Sequence, residues 1–164
     1  MSYGAFIGTD SWNRGQNKEC EFGVLLKNKY PEARSASFQE QVSHIDWVCN
    51  KGTIDVKAMK RVNRSGEIQS KVIWIEFKGN SGRKGWLYGK QDYVAFEAPD
   101  KFVLVKRADL QQLCEKICDT ENRVDSAKDA LYKIYTRKGK LDEISLIHFN
   151  DLFRIKNFSL KKIT

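Results

Sequence analysis

Two runs of alternating apolar and polar residues, 45–49 and 53–58, are separated only by Asn50-Lys51-Gly52. Alternation places successive side chains on opposite faces of an extended strand. Asn and Gly tolerate the positive φ that a tight turn between antiparallel strands needs. The segment therefore predicts a β-hairpin, and a hairpin fixes which residues face one another. With Asn50 and Lys51 as the turn residues, Cys49 pairs with Gly52 and Asp46 with Asp55. A one-residue bulge at Gly52 would make the two acids diagonal neighbours instead.

Other elements are expected around this hairpin. Phe22, Val24, Leu25 and Leu26 suggest a helix over 17–28, ended by Tyr30-Pro31 because a residue preceding proline is pushed out of the helical region. Segment 33–43 reads as either an edge strand or a short helix. Val72-Ile73-Trp74-Ile75-Glu76-Phe77-Lys78 is a third strand, and 93–96 with 102–105 a strand pair. A helix over 110–118 is predicted with Asp109 as its N-cap. Segments 131–135 and 144–149 are expected to pair around Lys138-Gly139-Lys140. The chain has 164 residues, which favours one domain, with a core over about 17–119 and a C-terminal hairpin and helix over about 130–160. The fold class is α/β or α+β, a central mixed sheet flanked by helices.

Charge bears on partners. Lys and Arg number 29 against 21 Asp and Glu, a net charge of +8 that favours a polyanion, most often nucleic acid. No apolar run is long enough to span a membrane. Met1-Ser2-Tyr3-Gly4 lacks the basic-then-apolar order of a secretory signal, so a cytoplasmic protein is expected. The four cysteines are then reduced thiols. Cys114 and Cys118 have a spacing a metal could use, but Cys20 and Cys49 match no zinc-finger spacing, and core or surface thiols are the expectation.

Written as three strands of one sheet, the central segments put Ile45, Trp47, Cys49, Ile54, Val56, Ala58, Ile73, Ile75 and Phe77 on an apolar face. The other face carries Asp46, Asp55, Lys57, Trp74, Glu76 and Lys78. Directly paired residues have Cβ atoms about 4.5–5.5 Å apart. Two carboxylates that close repel unless a proton or a cation lies between them. Mg²⁺ binds through one or two carboxylates, several waters and a substrate phosphate. Lys57, two residues beyond Asp55 on the same face, could orient or deprotonate a water. These parts suit metal-assisted phosphodiester hydrolysis. A wet sheet face with cross-strand ion pairs gives the same alternation without chemistry.

Asp46, eight intervening residues, then Asp55-Val56-Lys57 resembles the PD-(D/E)xK signature of the restriction-endonuclease-like nucleases, which include Holliday-junction resolvases and small phage endonucleases. The motif's proline is replaced by Ile45. The resemblance covers roughly 20–107 and implies a restriction-endonuclease-like fold. It also implies a Mg²⁺- or Mn²⁺-dependent deoxyribonuclease, acting in the cytoplasm of a bacterial or phage-infected cell. DNA is the implied partner, with RNA left open and a homodimer as one arrangement. Metal would fall to Asp46 and Asp55, supplemented by Glu76 and by an upstream helix glutamate, Glu21 or alternatively Glu19. Lys57 would handle the attacking water. A second register, with Asp55 as first acid and Glu76-Phe77-Lys78 as the acid-x-Lys, shares Asp55. The other reading of the chain is a basic nucleic-acid-binding protein with a nuclease-like fold and no cutting activity.

The glycine-rich basic stretch 79–90 supplies candidate nucleic-acid contacts: Arg83, Lys84 and Lys90 for phosphates, Trp86 and Tyr88 for bases. Such aromatics also serve to anchor a loop to a core. Two further basic clusters stand out, Lys57, Lys60, Arg61 and Arg64, and Arg137, Lys138 and Lys140. His44 and His148 have no acid or serine at triad spacing.

Overall fold

The computed structural model describes residues 10–63 and 65–163; Arg64 of the second basic cluster lies outside them. Helix α1 runs Asp10–Lys29. It ends before Pro31 as expected but begins seven residues earlier than the apolar periodicity predicts. Its first turns are polar, and Arg14 holds them down by bonding Met59 O and the buried Glu97 carboxylate, both at 2.9 Å.

The ambiguous segment holds both elements. Strand β1 (Arg34–Ser35) gives way to helix α2 (Phe38–Val42) at Ser37. Ser37 is a true N-cap: its side chain accepts from Glu40 N, and Glu40 returns the bond to Ser37 N. Strands β2 (Trp47–Cys49) and β3 (Gly52–Lys57) form the expected hairpin, in the expected register with Cys49 opposite Gly52. Gly52 sits at φ +137°, which excuses the absence of a side chain there.

The third predicted strand, β4 (Val72–Lys78), leaves this sheet. Strand β3 instead takes β5 (Tyr93–Glu97) as a parallel neighbour, and β6 (Lys101–Lys106) follows antiparallel. Helix α3 (Arg107–Ile117) starts directly from β6, so Lys106, not Asp109, occupies the cap position, and Asp109 lies in the first turn. Then come β7 (Arg123–Val124), β8 (Ile134–Tyr135), β9 (Glu143–His148) and, after a 3₁₀ turn over Phe149–Arg154, β10 (Asn157–Lys161). A strand, not a helix, thus closes the tail.

The strands form two sheets, β1-β2-β3-β5-β6-β10 and β4-β9-β8-β7. The tail is therefore part of the body: β10 completes the first sheet on β6, and β9 pairs with β4 along its whole length. β4 departs for a physical reason. Its link from β3 is long enough to swing away, and β9 sets Ile147 opposite Ile73 and the buried Ser145 opposite Ile75. Meanwhile β5, buried from Val94 to Glu97, fits the central place beside β3 better than a strand carrying Glu76 and Lys78.

The result is mixed α+β in layers. One face of the first sheet packs Ile54, Val56, Ala95, Phe102 and Leu104 on Phe22, Leu25 and Leu26 of α1. Phe22 and Phe102, both fully buried, meet edge-to-face at 5.3 Å. Truncating either to Ala would cost about 3–5 kcal/mol. The other face packs Val94, Phe96, Val103 and Val105 on Ile75, Phe77, Leu110 and Ile147. Asp55 and Lys57 share that second face, between the two sheets.

Candidate active site

The site is built on the hairpin. The ladder ends at Trp47 opposite Ile54, and Asp46 follows just beyond it with its carboxyl beside that of Asp55. Asp46 N donates to Ile54 O at 2.8 Å, and Asp46 Oδ2 accepts from Val56 N at 2.7 Å, so the carboxylate is tied across the strands. The turn end is held as well. Asp92 Oδ2 accepts from Thr53 N at 2.9 Å and from its hydroxyl at 3.1 Å. The approach to Asp46 is fixed by the end of α2, where His44 takes φ +63°; His44 N bonds Gln41 O and Ile45 N bonds Glu40 O. Glycine usually holds this position of a helix exit.

Asp55 is 4% exposed. Its Oδ2 lies 3.2 Å from Lys57 Nζ and accepts from Gln91 Nε2 at 3.3 Å. Gln91 Nε2 also donates to Trp86 O at 2.9 Å, while its Oε1 is buried among the described residues with no partner. Burial pushes the Asp46 carboxyl up to about 7, and the adjacent Asp55 adds to the shift. Asp55 is also raised, by burial, against the pull of Lys57. The two acids are close enough for each to affect the other's ionisation.

The helix glutamate beside this pair is Glu19, not Glu21. Two residues differ by about 200° around a helix, so the two cannot both face the hairpin. Burial pushes Glu19 up to about 7, with Asp46 adding to it and Lys57 opposing. Glu21 turns away, 2.8 Å from Lys18 and 3.8 Å from Lys162. A ring and a glycine set this rotation. Trp47 Nε1 donates to Glu19 O at 3.0 Å, and its indole lies so close on Gly23 that a Cβ there would fall 2.0 Å from a ring carbon.

The second acid-x-Lys does not join the pair. Lys78, on the other sheet and mostly exposed, lies 3.4 Å from Glu143, which also binds Arg123. Glu76 lines the same cavity as Lys57, but its Oε1 accepts from Trp86 N at 3.3 Å. Trp86 itself is a core residue, 6% exposed, with Phe96 beside it and Lys57 Nζ 4.7 Å from its ring centre. It therefore anchors the loop and seats Lys57, and cannot stack on a base. Tyr88 is half-buried against Phe77, with Lys84 near its ring. Arg83, Lys84 and Lys90 are exposed and none of them lines the cavity.

A different surface gathers charge. A cleft of about 860 Å³ between the sheets is lined by Lys57, Lys60 and Arg61 from one side and Arg137, Lys138 and Lys140 from the other. Two basic clusters about 80 residues apart in sequence thus face one another. Trp74 and Tyr135 lie in the same wall, ring centres 6.5 Å apart. At its inner end Glu97, its side chain fully buried, holds Arg14 at 2.9 Å, Lys18 at 3.2 Å and Lys162 at 2.8 Å. Burial works to raise Glu97, but Lys162, the Met59 amide and Arg14 outweigh it and hold the carboxyl below its ordinary range.

Sequence reasoning missed Gln91 and Glu97, which carry no motif, and did not join the two basic clusters, because only the second sheet brings them together. Cys114 and Cys118 are buried free thiols. Among the described residues no three His, Cys, Asp or Glu side chains converge as a metal-binding group, and no helix is long and apolar enough to cross a membrane. No family model matches the chain, and neither known proteins nor solved structures provide a match.

Proposed function

We propose that the chain is a Mg²⁺- or Mn²⁺-dependent deoxyribonuclease of the restriction-endonuclease-like type. The observation that carries this reading is that the Asp46 and Asp55 carboxyls come together at the end of the hairpin, with the Lys57 ammonium 3.2 Å from Asp55. Both acids are raised by burial, and Asp46 also by Asp55, so the pair is costly unless something positive lies between them. That donor set fits a cation that takes one or two carboxylates and fills its other positions with water and substrate phosphate. Asp46 and Asp55 would hold it, with Glu19 the nearest supplement.

A cation bound there would offset phosphate charge and acidify a water. The protein's own groups then divide the remaining work. Lys57, fixed by Asp55 and the Trp86 ring, presents one ammonium where a water or phosphate oxygen is positioned. Glu76 and Gln91 hold the Trp86 backbone and so keep Lys57 in place. Glu19 adds negative charge that strengthens a cation site.

The absence of a third convergent ligand among the described residues favours the second reading, a basic nucleic-acid-binding protein that does not cut. Cleavage assays with Mg²⁺ and Mn²⁺ on duplex, branched and single-stranded DNA, and on RNA, separate the two. The nuclease reading expects metal-dependent DNA cutting that Asp55→Asn abolishes. Cutting of none of these substrates hands the decision to the binding protein, and cutting of RNA alone changes the substrate.

A further inference from the structure

We infer that the cleft between the two sheets takes a single strand of nucleic acid, with Trp74 and Tyr135 as a platform for unpaired bases. This rests on the nuclease reading for the purpose of the strand, but not for its binding.

Size comes first. About 860 Å³ is the volume of a cube less than ~10 Å on a side. A cleft of that size suits one strand with its bases splayed better than the full width of a duplex. Chemistry points the same way. Lys60, Lys138 and Lys140 line the cleft and make no ion pair among the described residues, so they meet a polyanion without first losing a partner. Trp74 and Tyr135 are half-buried, which leaves part of each ring open to the cleft. Within a duplex the bases are already stacked and paired, and extracting one costs a few kcal/mol. An aromatic wall inside a narrow basic groove therefore selects bases that are already free.

The pairing pattern also gives a path. Tyr135 pairs with Ile144, and Ile144 pairs with Glu76 on its other side, so the three form a row across the second sheet. The row ends where Glu76 meets the Trp86 amide, and Trp86 carries Lys57 against its ring. A strand lying along the row is led to Lys57 and the acid pair behind it. A branched or flapped DNA offers such a strand beside a duplex; an intact duplex does not.

The test measures binding without cutting, using the full chain with Asp55→Asn in EDTA. The probes are a labelled oligothymidylate and a blunt duplex of equal length. The parent should prefer the single strand. Trp74→Ala with Tyr135→Ala should weaken its binding by about tenfold or more and duplex binding by less than about twofold. Lys138→Ala with Lys140→Ala, at exposed positions that cannot disturb the core, should reduce the single-strand salt slope by about 1.4. Should the ring variants fold poorly, Trp74→Phe reports instead: oligothymidylate should quench parent fluorescence, and the Phe variant should lose part of that quenching. Equal losses on both probes, a parent that prefers duplex, or an unchanged salt slope would overturn the inference. A protein that prefers single strands yet cuts nothing would sink the nuclease and leave the cleft standing. One that cuts intact duplex with indifferent rings would do the reverse.

Discussion

Two strands of this protein carry the same short pattern, an acid, one apolar residue and a lysine. On β3 it is Asp55-Val56-Lys57, and on β4 Glu76-Phe77-Lys78. In the first, the acid is buried, has the carboxyl of Asp46 beside it and is bonded by Gln91. In the second, the acid bonds the backbone of Trp86, and the lysine reaches into solvent to meet Glu143. The difference lies in the neighbours. β3 is flanked by β2, which brings Asp46, whereas β4 is flanked by β9, which brings Ile144 and Glu143. The same triplet thus meets different partners because the adjacent strand differs.

The largest expected contrast is in turnover. On the nuclease reading, Lys57→Ala should lower metal-dependent cleavage by about 10²–10⁴-fold with DNA binding nearly intact, because a water-handling lysine would act on the transition state. Lys78→Ala should leave cleavage within a few-fold of the parent and cost less than about 1 kcal/mol of stability, as exposed ion pairs do. A dead Lys78→Ala beside an active Lys57→Ala would move the site to the second sheet.

Next in size is the response to a single methyl group on α1. Gly23→Ala drives a Cβ into the Trp47 ring, so about 1–3 kcal/mol of stability should be lost and Glu19 displaced. Gly15→Ala, with nothing within 4 Å of its Cβ, should instead stabilise the helix by about 0.5–1 kcal/mol. Chemical denaturation of the two variants checks both signs; a stabilised Gly23→Ala would show that the indole does not set the helix rotation.

A subtler contrast is in pH. Asp46 and Glu19 have folded-state values near 7, above their ordinary values of 3.8 and 4.5. Folding therefore favours their protonated forms, and the stability this gives is complete below about pH 4 and lost as pH rises through about 7. In EDTA the parent should lose Tm between pH 5 and 7.5 relative to Asp46→Asn, by at least about 2–4 °C. Mg²⁺ should restore it at neutral pH, since a ligand of the folded state alone stabilises that state. Parallel Tm curves for the two proteins would mean that Asp46 is ionised without strain.

The hairpin was legible because its register is local: Asn50, Gly52 and the alternation around them decide it. The closeness of Asp46 and Asp55 was legible for the same reason, though the ladder itself stops at Trp47 and Ile54. The end of α1 at Pro31 and the β5–β6 pair follow from equally short-range signals. What lay beyond reach depended on long-range choices. Whether β4 joins β3 or β9 is settled by segments 70 residues apart, and local alternation in β4 does not distinguish them. The choice of Glu19 over Glu21 turns on the contact of Trp47 with Gly23, two residues that alternation and periodicity treat as ordinary. Trp86 read as a base-stacking residue because it stands between glycines in a basic loop. Those glycines in fact serve its burial: at Gly85 a Cβ would lie 2.3 Å from Glu76 O.

Both sheets are closed by strands made late. β9 and β10 fall within 143–161, yet β9 is the partner that holds β4, and β10 covers the edge of β6. Contacts this distant in sequence form slowly, because loop-closure entropy is lost before they give anything back. During synthesis the hairpin and its acids can assemble well before the second sheet exists. The basic cleft cannot, since one wall waits for Tyr135 and Lys138 to dock through β9. A partly made chain would therefore hold the two acids without the basic cleft, and only the finished fold would join the two.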